Sequence, residues 1–132
     1  MTVTITVPQA VGRNNAGNTL LNTGKLQVFN GATLLVEFTL ANPAFGASTS
    51  ACPSIATAAG LPITATAAAF GATPLVANNA KVITSDAVEH FTIAAASIGA
   101  TGSGLPVQLS NTTVTQSQSI NLTAFTITQP CS

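Results

Sequence analysis

Tryptophan and tyrosine are missing from this chain, and charge is almost missing: Lys and Arg together number 3, and Asp and Glu together number 3, in 132 residues. Without Trp or Tyr, a β face has no aromatic platform on which to hold a sugar ring, which counts against a carbohydrate-binding or adhesin module. Charged residues make up 5% of the chain, against about 25% in ordinary soluble proteins. A surface so poor in charge does not stay dispersed by self-repulsion. It also excludes nucleic acid and charged membrane as partners, because only Arg13, Lys25 and Lys81 can neutralise phosphate. Long apolar runs are lacking too. The longest candidate, residues 55–70, is mostly Ala and Thr and is interrupted by Gly60 and Pro62, so no transmembrane helix is read. The opening MTVTITVPQ has neither the basic start nor the apolar core of a secretory signal. Cysteine is limited to Cys52 and Cys131, neither with a second Cys or a His at metal-ligand spacing. In a chain read as made in the cytoplasm, free thiols are the expectation for both.

What is present is a Thr-rich, Ala-rich, Gly-punctuated sequence of extended segments, the mark of an all-β structural protein in which Thr covers the sheet faces. Residues 33–46, TLLVEFTLANPAFG, are its anchor. Leu34, Val36, Phe38 and Leu40 alternate onto one face, and Thr33, Leu35, Glu37 and Thr39 onto the other. Pro43 stops the strand, and Phe45 follows as an aromatic plug to be tucked under the sheet. Asn30-Gly31 joins this strand to KLQVF at residues 25–29 as an antiparallel hairpin, since both turn residues tolerate positive φ.

Residues 2–7 alternate Val3, Ile5 and Val7 against threonines until Pro8, and read as an edge strand or an arm reaching a neighbour. Residues 9–21 admit a short helix with little apolar support. Residues 48–70 are small and aperiodic, a long surface excursion with one strand near 62–66. Further strands are expected at 74–77, 80–84, 87–93, 105–111 and 119–128, with GATGSG at 99–104 as a loop tip. In the last strand Ile120, Leu122 and Ala124 share one parity while Phe125 and Ile127 take the other. A β-bulge near Ala124 and Phe125 would return both sets to one face. The buried core is therefore expected to include Val36, Phe38, Leu40, Phe45, Leu122, Phe125 and Ile127. The fold class is a single all-β domain over residues 1–132, an antiparallel sandwich or jelly roll of about eight strands with an extended arm over residues 1–8.

Residues able to carry chemistry are few. His90 is the only histidine, with Asp86 and Glu89 nearby, and neither a nucleophile–base pair nor a set of three metal ligands can be assembled around it. No catalytic, cofactor-binding or metal-binding residues are assigned, and no enzyme activity is expected. Glu37 is placed to pair with Lys25 across the hairpin, or with Lys81. The sequons at Asn111 and Asn121 read as ordinary strand residues of a Thr-rich chain. GATGSG lacks the Lys and the strand-to-helix setting of a phosphate loop.

Two stretches carry a family resemblance: TLLVEFTLANPAFGA at residues 33–47 and VQLSNTTVTQSQSINLTAFTITQP at residues 107–130. They resemble small tailed-phage proteins encoded among virion structural genes, whose C-termini end in a similar TSFTIT.P. The resemblance implies a β-rich virion component on the capsid exterior, a decoration or cement protein assembled in the host cytoplasm. It brings no catalytic motif. Its partners would be the major capsid protein and copies of the chain itself, as trimers first and dimers second, with Val3, Ile5 and Val7 as the assembly arm. A tail or neck virion protein is one alternative, and a surface carbohydrate-binding or adhesin module is the other. Residues 52–70 depart from the family pattern and read as an insertion.

Overall fold

The computed structural model describes residues 6–130. It is mostly β, with one helix, α1 (Val7–Thr19), ahead of the strands. Pro8 lies in the first turn of α1, where its fixed φ suits a helix start and its missing N–H would have had no intrahelical partner. Val7 is therefore helical and does not extend the alternating segment. Val3 and Ile5 of the expected arm lie outside the described residues.

The helix holds its place by amide groups more than by oil. Ala10, Asn14 and Asn18 form its buried stripe at four-residue spacing. Asn14 Nδ2 donates to the carbonyls of Ser54 at 3.2 Å and Ile127 at 3.4 Å, and Asn18 Nδ2 donates to Asn14 Oδ1 at 2.9 Å. Two flanking asparagines tie down the neighbouring loop: Asn15 Oδ1 accepts from Ser48 N–H, and Asn22 Oδ1 from Ala44 N–H. Replacing Asn14 with Ala strips a partner from buried Asn18 and the second donor from two carbonyls, and should lower stability by about 1–3 kcal/mol. Urea melts of Asn14→Ala, Asn18→Ala and the double variant check this. The double variant should lose less than the two single losses added together.

Two sheets carry most of the chain. The first has the order β2-β1-β6-β7, built from β1 (Lys25–Asn30), β2 (Thr33–Thr39), β6 (Asn79–Ile83) and β7 (Glu89–Ala94), all antiparallel. The second is organised along β11 (Ser119–Gln129). β4 (Ile63–Thr66) and β3 (Ser54–Thr57) follow one another down one edge of β11, and β9 (Val107–Leu109) flanks the other, joined by β8 (Ile98–Ala100). β8 and β9 run parallel, which makes this sheet mixed. A small third sheet pairs β5 (Leu75–Val76) with β10 (Thr113–Val114). The two large sheets share one hydrophobic cluster.

The strand count exceeds the expected one because β3 and β8 lie in stretches read as surface excursion or loop tip, and β10 forms between two expected strands. In β3 the pattern is inverted: small Ser54 and Ala56 are fully buried and Ile55 points outward at 37% exposure. Small side chains face inward there because α1 packs against β3 and leaves no room for larger ones.

Of the expected core, Val36, Phe38, Leu40, Phe45, Leu122 and Phe125 are buried, and Ile127 is partly buried against the same cluster. Leu35, read onto the outer face, is fully buried instead. The β1–β2 register explains the difference: Val28 pairs with Val36 and Phe29 with Leu34, so Leu35 is an extra residue in a bulge and turns inward beside Val36. In β11 the register shifts between Leu122 and Ala124, which makes Thr123 the extra residue. Leu122 and Phe125 consequently share the buried side. Phe45 forms an isolated bridge with Ala58, and its ring meets Phe125 edge-on at 5.2 Å.

Free thiols were the expectation for the cysteines, and Cys52 is instead disulfide-bonded. The fold supplies the reason. Antiparallel pairing sets Gln129 opposite Ser54, so the end of β11 is delivered to the segment that carries Cys52. The other cysteine of the sequence, Cys131, lies outside the described residues.

Candidate functional site

The ionisable groups do not converge. His90 is exposed and falls at a register shift in β7, where Val82 pairs with Phe91 and Ile83 with Glu89. Glu89 turns to Lys81 at 3.7 Å, and Asp86 stays exposed in the turn before β7. Among the described residues, no group of three or more His, Cys, Asp or Glu could hold a metal ion. No helix there is long and apolar enough to cross a membrane. Of the sequon asparagines, Asn111 is exposed and Asn121 accepts a hydrogen bond from Thr64 Oγ1 at 2.7 Å.

Glu37 does pair with Lys25 across the hairpin, at 3.1 Å. A hydrogen bond from Gln27 Nε2 at 2.7 Å is the main influence holding its carboxyl below the ordinary 4.5; partial burial opposes it and Lys25 adds to it. A depressed carboxylate contributes stability above its unfolded pKa and loses that stability as pH falls through the folded value. The contribution should therefore be full above about pH 5 and vanish in strong acid. As an exposed pair it amounts to about 0–1 kcal/mol. Acid titration of unfolding midpoints for Glu37→Gln against the parent should show a shallower fall below pH 4.5 in the variant.

The feature with functional geometry is apolar. A groove of about 460 Å³ opens between the two large sheets, walled by residues 91–94 of β7 and residues 125–128 of β11, with Val82 and Val107 deeper in. Phe91 and Ile93 are partly buried and packed against the core cluster. Runs of adjacent residues on each wall mean that strand edges, and not only side-chain faces, border the groove. β7 is the last strand of its sheet, with β6 on its inner side only. On β11 the flanking strand ends with Val107 opposite Phe125, followed by a bond from Thr126 N–H to Pro106 O. Past that point no strand borders this side of β11 among the described residues. No Lys, Arg, Asp, Glu or His lines the groove. A second, smaller cavity of about 200 Å³ lies among Asn15, Asn18, Asn22, Pro43 and Phe45, where the amides of Asn15 and Asn22 already serve the loop backbone.

Sequence reasoning found the core strands that form the floor of the groove but not the groove itself. Phe91 and Ile93 read as an ordinary half-buried alternation, and nothing local tells that β7 ends a sheet. The signal that could have found it is the absence of any further strand-forming run able to cover β7 before Gly99. No family model, no curated protein and no solved structure matches this chain.

Proposed function

We propose that this chain is a virion structural protein of a tailed phage, a decoration or cement protein on the capsid exterior that acts by binding and not by reaction. The observation that carries the binding reading is the neutral apolar groove bordered by open strand edges, in a molecule whose ionisable groups are dispersed. The assignment to a phage particle rests on the resemblance of residues 33–47 and 107–130. In this reading the two large sheets form a sandwich or jelly roll, and copies of the chain associate as trimers around the local three-fold positions of the shell, with dimers second. Each copy buries neutral surface against the major capsid protein and its own neighbours. Interfaces of roughly 1,200–2,000 Å² repeated over a shell resist internal pressure additively. A disulfide at Cys52 suits a particle surface that meets an oxidising medium after release.

The test is to add the purified chain to shells that lack it and to image them. Density on the outer face of the shell, together with a higher temperature of genome release, is the expected result. Density confined to the tail or neck would move the protein there, and no association with either would overturn the reading.

A further inference from the structure

We propose that the groove between β7 and β11 receives residues 1–5 of a second copy of this chain, which adds to the open edge of β7 as an extra strand. The inference rests on the self-association reading above and specifies the surface that performs it. Three observations converge on this occupant. The first is geometric: β7 offers an unflanked edge over residues 91–94, and the facing wall of β11 is unflanked past Thr126. A guest strand there satisfies main-chain groups on the β7 side while its side chains enter the cavity.

The second is the guest's sequence. MTVTI alternates Val3 and Ile5 with Thr2 and Thr4, so one face is aliphatic and the other is the threonine surface that the rest of the sheets present. Val3 and Ile5 would meet Phe91, Ile93 and Ile127, while the threonines stay in water. Neither guest nor groove brings a charged side chain, so docking buries no side-chain charge.

The third is the state of two other sheet edges. The outer edge of β2 already receives Ala68 N–H at the carbonyl of Leu35, and β3 is engaged by Thr49 through Ile55.

The decisive experiment uses the full chain with the photo-crosslinker p-benzoylphenylalanine at position 3, mixed with unmodified chain labelled with nitrogen-15. Illumination should join position 3 to labelled peptides containing residues 91–94 or 126–128. Crosslinks only to the unlabelled chain's own groove, or to any other surface, overturn the proposal. In parallel, sedimentation of Val3→Asp with Ile5→Asp should show self-association weakened by at least about a hundredfold, because charge is driven from an apolar groove. Its thermal unfolding under conditions where the parent is monomeric should be unchanged. Unaltered association in this variant also overturns the proposal. Shell binding is measured separately. A chain whose arm crosslinks to the groove but which binds no shell keeps this inference and loses the virion reading, and the reverse result does the opposite.

Discussion

Phe38→Ala should lower the unfolding free energy by about 3–5 kcal/mol, the range for removing a fully buried aromatic ring from a core that relaxes only in part. Phe38 has no exposed surface and sits on β2 opposite Leu26 of β1, with Val36 and Leu40 buried on either side. Its neighbours belong to hydrogen-bonded strands on a paired ladder, so they cannot move inward far enough to fill the space. Phe38→Leu, which keeps most of the volume, should cost less than half as much. Denaturant melts of both variants decide it. A loss under about 1 kcal/mol for Phe38→Ala would mean that the ring does not occupy the interior.

Strands whose periodicity is carried by large residues were legible from the sequence. β1 and β2 follow from KLQVF, from the alternation after Thr33 and from Asn30-Gly31, and Gly31 takes the positive φ of 58° that the turn requires. The buried ring of Phe45 followed from the proline stop and the scarcity of aromatics. What escaped notice depends on partners distant in sequence. β3 pairs with β11 across the length of the chain, and its inward residues are Ser54 and Ala56, which carry almost no hydrophobic signal. β8 lies in a Gly-rich stretch and gains strand character only from its parallel neighbour β9. The helix was faint because its buried stripe is Ala10, Asn14 and Asn18, polar in two positions of three, and satisfied by carbonyls that exist only once β3 and β11 have paired. The inward turn of Leu35 has a similar origin: a parity argument counts residues, and a bulge changes the count.

The candidate groove shows the same division. Its floor was readable as core, but its openness is a property of sheet order. That β7 ends its sheet follows from its pairing with β6 alone, and that β11 is bare past Thr126 follows from the shortness of β9. Neither fact is local. The arm fits the same logic from the other direction. Residues 1–5 carry a clear alternation, but Pro8 and α1 separate them from every strand that could pair with them locally.

Deleting Thr123 should be more damaging than any single core truncation. β11 pairs with β4 through Ser119 to Leu122 and with β3 through Thr126 to Gln129, so its two halves are registered independently. Thr123 is the extra residue that lets both registers coexist with the β9 pairing, in which Leu122 faces Leu109 and Ala124 faces Gln108. With it, Ile120, Leu122 and Phe125 are all buried. Without it, side-chain alternation sends one half of the strand to the wrong face. If Ile120 and Leu122 keep their places, Phe125 is expelled, its edge-on contact with Phe45 is lost, and the apolar wall of the groove is replaced by a threonine surface. The loss of Phe125 burial alone amounts to about 3–5 kcal/mol, and the broken pairing with β3 adds to it. For a domain of ordinary stability, about 5–15 kcal/mol, that is enough to abolish cooperative folding. Thr123→Ala is the control. It keeps the residue count and removes only the hydroxyl contacts to Thr101 and Gln108, so it should lose no more than about 1–2 kcal/mol. Amide-proton dispersion and thermal melts of the two variants read the contrast. A deletion variant that still melts cooperatively within about 1 kcal/mol of Thr123→Ala would show that the strand tolerates either parity, and the bulge would then have no part in specifying the fold.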